Sequence, residues 1–232
     1  MIQNITIKNI QKSYSRKGVD ILKDISFTAN SGECIGILGL NGCGKTTLLS
    51  SMAGLVVPDN GSFLLDGENI FDSHSFEEKI GYVPQNNPLM DDLSARDNLR
   101  LWYTGSNLHL DEELNHGILK SLGIDQFVDK KVSQLSGGMK KRLSIGCSMA
   151  NQPPVLLMDE PSASLDIDCK EIIAQYVKNF TKAGGIVIIA THEEGEIKLC
   201  DRIFLLKNGY LHPYEYMDLH TLTKDLKEHK HG

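Results

Sequence analysis

The sequence lacks any apolar run near the about 20 residues that a membrane-spanning helix requires; Val155-Leu156-Leu157-Met158 and Ile186–Ala190 are among its longest. It opens on the polar Met1-Ile2-Gln3-Asn4, without the basic-then-apolar order of a signal peptide, so a protein made and kept in the cytosol is expected. The five cysteines (34, 43, 147, 169 and 200) are odd in number and show no C-x-x-C spacing, which argues for reduced thiols and against a zinc site. No concentrated basic tract is present. With 24 Lys and Arg against 30 Asp and Glu, the formal net charge is -6, and nucleic acid is not expected as a partner. The densest basic stretch, Lys140-Lys141-Arg142, reads as a solvated helix face. There is no internal repeat or low-complexity segment. At 232 residues the chain is long enough for a substantial core.

Glycine, by contrast, is concentrated where it matters. Gly39-Leu40-Asn41-Gly42-Cys43-Gly44-Lys45-Thr46 has the spacing G-x-x-x-x-G-K-[ST] of a P-loop. It follows the apolar Cys34–Leu38, which reads as a buried strand, and precedes Thr47–Ala53, which reads as the first turns of a helix. Strand, glycine loop and helix in that order imply a nucleoside triphosphate site. The glycines allow backbone N–H groups to wrap phosphate oxygens, and the helix adds its positive dipole end. Gly39, Asn41, Gly42, Cys43, Gly44, Lys45, Thr46 and Thr47 are the candidate contacts. Lys45 can reach the β- and γ-phosphates, and the Thr46 hydroxyl can ligate Mg²⁺. Cys43, close to the helix N-terminus, is expected to have a lowered thiol pKa.

The chain reads as an α/β fold in three blocks. Ile5–Ile7 and Ile25–Phe27 alternate as antiparallel strands; the turn signal Pro58-Asp59-Asn60-Gly61 leads into a strand over Ser62–Gly67. Between about residues 86 and 150 the strand signal gives way to helical patterns over Leu93–Tyr103, Asp111–Leu122 and Gly137–Ala150. From Pro154 strand and helix alternate as in a parallel sheet with crossover helices, and Glu215–Lys230 has the pattern of a polar amphipathic helix. The expected organisation is a single domain over 1–232. Residues 1–85 and 151–212 form the nucleotide-binding core with its antiparallel part, 86–150 an inserted helical subdomain, and 213–232 a helical tail.

Two further motifs carry chemistry. Val155–Met158 ends in Asp159-Glu160, the Walker B pattern: an acid at the C-terminal end of a core strand faces the crevice that holds the phosphates. Asp159 is the candidate Mg²⁺ residue and Glu160 the candidate general base for the attacking water. Leu135-Ser136-Gly137-Gly138-Met139 combines an N-cap serine with glycines that expose the first N–H groups of a helix, a second anion site.

P-loop, Leu-Ser-Gly-Gly and Asp-Glu in this order resemble the ATP-binding cassette ATPases, the nucleotide-binding subunits of ABC transporters, over about Ile2 to Leu211. The resemblance implies a P-loop NTPase core with a mixed sheet, an N-terminal antiparallel β subdomain and an inserted helical subdomain. It implies ATP and Mg²⁺ as cofactors. Ser136, Gly137 and Gly138 would act in trans, covering the γ-phosphate held by another cassette's P-loop in a head-to-tail dimer around two ATP molecules. Tyr14 matches the aromatic residue against adenine, Gln85 the Mg²⁺-sensing glutamine that joins core to helical region, Asp166 the loop that crosses to the partner, and His192 the switch histidine at the γ-phosphate. Catalytic roles would thus fall to Glu160, His192, Lys45 and Gln85, and metal ligation to Thr46, Gln85 and Asp159.

The pattern departs from the family at Met139, where Gln is usual, and at Ala163-Ser164, which affects the contacts of Ser164. Met139 with the basic run resembles a branch that mostly exports drugs, lipids or polysaccharides. The implied partners are an integral membrane transporter subunit and a second cassette, either a copy of this chain or a different one, with the chain peripheral on the cytoplasmic face of the membrane. Leu89 and Met90 are candidates for the membrane-subunit interface, while Leu93, Leu99 and Trp102 read as local helical core. The competing reading is the same ATPase in a soluble assembly or regulatory complex. A P-loop kinase of a small metabolite would leave Leu135–Met139 and His192 without a use.

Overall fold

The computed structural model describes residues 2–14, 20–70, 76–163 and 165–222. The expected contacts of Ser164 and the tail from 223 onward lie outside the described residues.

The strands are β1 (Asn4–Ser13), β2 (Asp20–Asn30), β3 (Cys34–Leu38), β4 (Asn60–Leu65), β5 (Glu68–Asn69), β6 (Ile80–Val83), β7 (Val155–Asp159), β8 (Ile186–Ala190), β9 (Arg202–Lys207) and β10 (Tyr210–Pro213). The helices are α1 (Lys45–Met52), α2 (Phe76–Lys79), α3 (Ala95–Tyr103), α4 (Leu110–Asn115), α5 (Ile118–Ser121), α6 (Gly137–Ser148), α7 (Ile167–Lys182) and α8 (Glu194–Ile197). All ten strands join one mixed sheet in the order β5-β4-β1-β2-β10-β9-β3-β8-β7-β6. The strands β9-β3-β8-β7-β6 are parallel neighbours, whereas β1 pairs with β2 and β4 antiparallel.

The alternation expected after Pro154 stops short of the end. β9 and β10 pair as an antiparallel hairpin, and Tyr210 of β10 pairs in parallel with Asp24 of β2. This hairpin welds the parallel half to the antiparallel half. Asn208 and Gly209 both have positive φ, the requirement of a tight two-residue hairpin turn.

Both faces of the central strands are buried, so they read as unbroken apolar runs. Val155 and Leu157 of β7 pack with Ile186, Ile188, Leu48 and Leu49, in the core shared with α1 and the antiparallel strands. Leu156 and Met158 face the other way, into the core shared with Leu99, Leu143, Ile145, Ile173 and Val177 from the helical elements. The helix expected over Asp111–Leu122 is broken at Gly117, whose backbone is extended. There the Glu113 carboxylate accepts from the Ile118 amide at 2.9 Å and starts a new turn. In the tail, residues 219–222 are helical, and Leu222 is buried against Leu38, Ile197 and Leu205.

Trp102 is a correction. It is 49 % exposed, whereas Leu99 is fully buried and Leu93 half-buried. Trp102 follows Leu99 by three positions, so it is offset by about 60° around α3, past the edge of the buried stripe and next to exposed Leu101. Leu157→Ala is expected to cost about 2–5 kcal/mol of unfolding free energy, and Trp102→Ala less than about 1 kcal/mol. Urea denaturation of the two variants checks both; a large loss at Trp102 would return it to the core.

Candidate nucleotide site

β3 delivers the chain to Gly39, and α1 begins at Lys45. Gly44, the residue before the helix, has φ +112, and a Cβ there would lie 2.8 Å from a methyl of Ile21. Gly39 is enclosed as tightly: a Cβ would meet the Leu206 carbonyl at 2.7 Å. The loop is therefore wrapped against β2 and β9 in a shape that side chains would disrupt. The buried Lys45 ammonium donates to the Gly39 carbonyl at 2.9 Å and lies 3.9 Å from the Glu160 carboxylate.

The parallel pairing of β3, β8 and β7 brings three strand ends together. The Thr46 hydroxyl donates to Asp159 Oδ2 at 2.7 Å. Gln85, just past β6, donates from Nε2 to Glu160 Oε2 at 2.9 Å, and His192 Nδ1 lies 3.4 Å from Glu160 Oε1. Glu160 is the hub. Its backbone is left-handed, φ +46, a conformation costing a non-glycine residue about 1–3 kcal/mol, and its amide donates to the Ala190 carbonyl at 2.8 Å. Burial holds the Asp159 carboxyl above the ordinary carboxylate range; Thr46, Lys45 and Lys141 favour its charged form, and Glu160 opposes it. A desolvated carboxylate bonded to a hydroxyl, with an amide side chain nearby, is a donor set of hard oxygens that suits Mg²⁺.

Ser136, Gly137, Gly138 and Asp166 form a second group. Ser136 caps α6, accepting from the Met139 amide at 3.2 Å, and Asp166 caps α7, accepting from the Cys169 amide at 2.8 Å. The two helix starts abut: a Cβ on Gly138 would lie 2.2 Å from Cys169 Sγ. Ser136, Gly137 and Asp166 are exposed, so this group presents outward. Tyr14 stands at the end of β1, 61 % exposed, with the Lys12 ammonium 5.8 Å from its ring centre. Asn41 and Gly42 are exposed and Thr47 is half-buried.

Two readings of the sequence are corrected. Burial pushes the Cys43 thiol up, outweighing Lys45 and the loop amides, which pull it down. And Lys140-Lys141-Arg142 is not a solvated face. Lys141 is buried, 4 % exposed, and donates to the Pro84 and Gln85 carbonyls at 2.9 and 3.0 Å. Arg142 donates to the Leu122 carbonyl at 2.9 Å and lies over the Phe127 ring at 5.2 Å. Only Lys140 points out, to Asp91 at 2.8 Å. Lys141 sits four residues before the buried Ile145 on α6, so helical spacing was the one signal that could have marked it as inward-facing.

A P-loop beside a Walker B carboxylate pair on a mixed sheet, with a serine-capped glycine pair on an inserted helical segment, defines a nucleotide-hydrolysing cassette. The sequence pattern of the ABC transporter family matches residues 22–163, and the chain belongs to that family; it is an ATP-binding cassette ATPase. Nod factor export ATP-binding protein I of Burkholderia lata is 35 % identical over 210 residues, 88 % of this chain and 68 % of that protein. Linearmycin resistance ATP-binding protein LnrL of Bacillus subtilis is 36 % identical over 206 residues, 87 % of this chain and 66 % of that protein. The chain thus spans about two thirds of the length of these relatives. Among solved structures, the dimeric ATP-binding cassette MJ0796 bound to ADP and Pi in a post-hydrolysis state superposes with a TM-score of 0.81 at 28 % identity, covering 92 % of this chain and 99 % of that one. A bacterial Atm1-family ABC exporter with ATP bound superposes at 0.79 and 25 % identity, covering 97 % of this chain and 40 % of that one.

Burial pushes Lys141 down to about 8, against the pull of Asp159, Glu196 and Glu160. Below that pH both folded and unfolded chains hold the proton and the burial cost is present in full. As pH rises from about 8 toward the ordinary lysine value of 10.5, only the unfolded chain keeps it, so the folded state gains. Relative to Lys141→Met, the unmodified protein is expected to gain stability over that window. Paired urea titrations at about pH 7 and pH 9.5 measure it; an unchanged difference would mean that Lys141 titrates like a surface lysine.

Proposed function

We propose that this chain is the ATP-hydrolysing subunit of a membrane exporter, working in a head-to-tail pair of cassettes on the cytoplasmic face of the membrane. One observation carries the catalytic part: Lys45, Gln85 and His192 converge on the single carboxylate of Glu160. In this reading Glu160 accepts a proton from the attacking water, Lys45 and the loop amides cradle the β- and γ-phosphates, and His192 holds the γ-phosphate. Thr46, Gln85 and Asp159 would hold Mg²⁺, which when bound neutralises phosphate charge. Tyr14 offers a face for adenine, worth about 1–3 kcal/mol of stacking.

The outward presentation of Ser136, Gly137 and Asp166 supports their use in trans, as does the dimeric state of the MJ0796 cassette. Each P-loop is completed by the other subunit's α6, so loss of the γ-phosphate loosens the pair and couples hydrolysis to movement. Among the described residues no helix is long and apolar enough to cross a membrane; in this reading the membrane-spanning part is an integral membrane transporter subunit on which the cassette docks. The name of the Nod factor export relative favours export. The docking surface in this reading is Met90 with Leu101 and Trp102, all about half exposed. Buried Asn98 ties the Met90 backbone to α3 through bonds at 2.8 and 3.1 Å, and Leu101 and Trp102 lie about one turn further along that helix; Leu89 is half-buried against the helical core.

Glu160→Gln is expected to bind ATP with unchanged affinity, lose about 10²–10⁴ in hydrolysis and accumulate as an ATP-dependent dimer; an unchanged rate would remove Glu160 from the base role. With that variant tagged in its native cells, an integral membrane protein is expected to co-purify after gentle solubilisation, whereas purely soluble partners would replace the exporter by a soluble assembly. Met90→Glu with Trp102→Glu is expected to abolish that co-purification and leave ATPase activity of the isolated chain within about 2-fold; full recovery of the complex would place docking elsewhere.

A further inference from the structure

Glu196 is a buried acid to which the catalytic reading gives no task. It is 5 % exposed and lies on α8, four residues after His192. The Thr191 hydroxyl donates to its Oε2. Thr191 is fully buried and pinned on two more sides: its amide donates to the Ile37 carbonyl at 3.2 Å, and its hydroxyl accepts from the Glu193 amide at 2.9 Å. Burial pushes the Glu196 carboxyl up, and the nearby Ser162 hydroxyl and amide, with Thr191, pull the other way; its Oε1 is buried without a hydrogen-bond partner among the described residues. Ser162 is itself buried and follows Glu160 by two residues.

One carboxyl is therefore bonded to the segment that carries His192 and borders the same cavity as Ser162, on the segment that carries Glu160. Apolar packing holds the other side of α8, where Ile197 is buried against Leu38 and Leu205. On the α7 side lies a cavity of about 340 Å³ bordered by Ile173, Val177 and Leu199 and by Ser162 and Glu196 themselves, so there the short helix has less apolar support. Lys170, which could neutralise an acid here, is engaged by Glu193 at 2.7 Å.

We infer that Glu196 is a positioning residue for ATP hydrolysis, clamping Thr191 to Ser162 and so fixing the His192 ring against the Glu160 carboxylate. The inference rests on the roles proposed above for Glu160 and His192. Its signature is selective: nucleotide binding uses the P-loop, on other strands, while turnover needs the two strand ends in register. Small misplacements of reacting groups cost rates by up to about 100-fold.

The test is steady-state hydrolysis by the full chain with Mg²⁺ and ATP, together with ADP affinity by calorimetry. Glu196→Ala is expected to lower kcat by about 10–100-fold with KM and ADP affinity within about 2-fold of the parent. Thr191→Val, which keeps volume and removes the donor, is expected to lower kcat in the same direction, and the double variant to fall no further than the lower single one. Should Glu196→Ala fail to fold, Thr191→Val alone decides. A kcat within about 2-fold of the parent, or kcat and ADP affinity falling together, overturns the clamp. His192→Ala and Glu160→Gln run beside these: if they retain parent rates, the reading of the site itself fails, whatever Glu196 does.

Discussion

The pairing of β7 with β8 is the constraint on which the rest of the molecule depends. Asp159 lies opposite Ala190 as the last rung of that ladder, and the next amide, that of Glu160, still reaches back to the Ala190 carbonyl. Only then do the chains part, one toward α7 and the other toward His192. Both strands are buried on both faces, so a slip of one residue would exchange the two cores and drive every side chain into the wrong neighbour. Register is thus fixed by the whole interior, and the positions of Asp159, Glu160 and His192 follow from it. The left-handed turn at Glu160 is the cost of ending the ladder and redirecting its carboxylate toward Lys45, Gln85 and His192.

The polar groups at these strand ends hold one another. Lys45 is fixed by the Gly39 carbonyl, Thr46 by Asp159, and Gln85 by Glu160. Charge stabilisation in a phosphoryl transfer is most effective when dipoles and charges need no rearrangement as the reaction proceeds. A set of side chains that satisfy each other at 2.7–2.9 Å is pre-aimed in that sense, and its burial at Asp159 and Lys45 keeps the local dielectric low.

What could be read from residues alone follows a physical division. The P-loop and the Walker B strand were legible because their chemistry needs particular residue types at fixed spacing within one short segment. The strands Cys34–Leu38, Val155–Asp159 and Ile186–Ala190 were legible because a strand covered on both faces must be apolar throughout. The hairpin of β9 and β10 was not, because its partner β2 lies nearly two hundred residues away and nothing local announces a parallel pairing. Trp102, Lys141 and Glu196 were misread or missed for one shared reason. Type predicts burial only on average, and whether a particular Trp faces out or a particular Lys faces in is decided by the surface that another element offers. Cys43 shows the same competition within a single residue: helix terminus and Lys45 pull one way, enclosure pulls the other, and enclosure is larger.

Lys141 also ties the Gln85 segment to α6. A hydrogen bond to a carbonyl tolerates little displacement before it weakens, and Lys141 makes two, to adjacent carbonyls of one segment. It is anchored on α6 five residues after Ser136, about 7.5 Å along a rigid helix. The two bonds therefore hold the start of α6 beside the backbone of Pro84 and Gln85, and breaking both would leave a buried ammonium without these partners. A buried lysine thus links the outward-facing, serine-capped start of α6 to the segment whose Gln85 is bonded to Glu160.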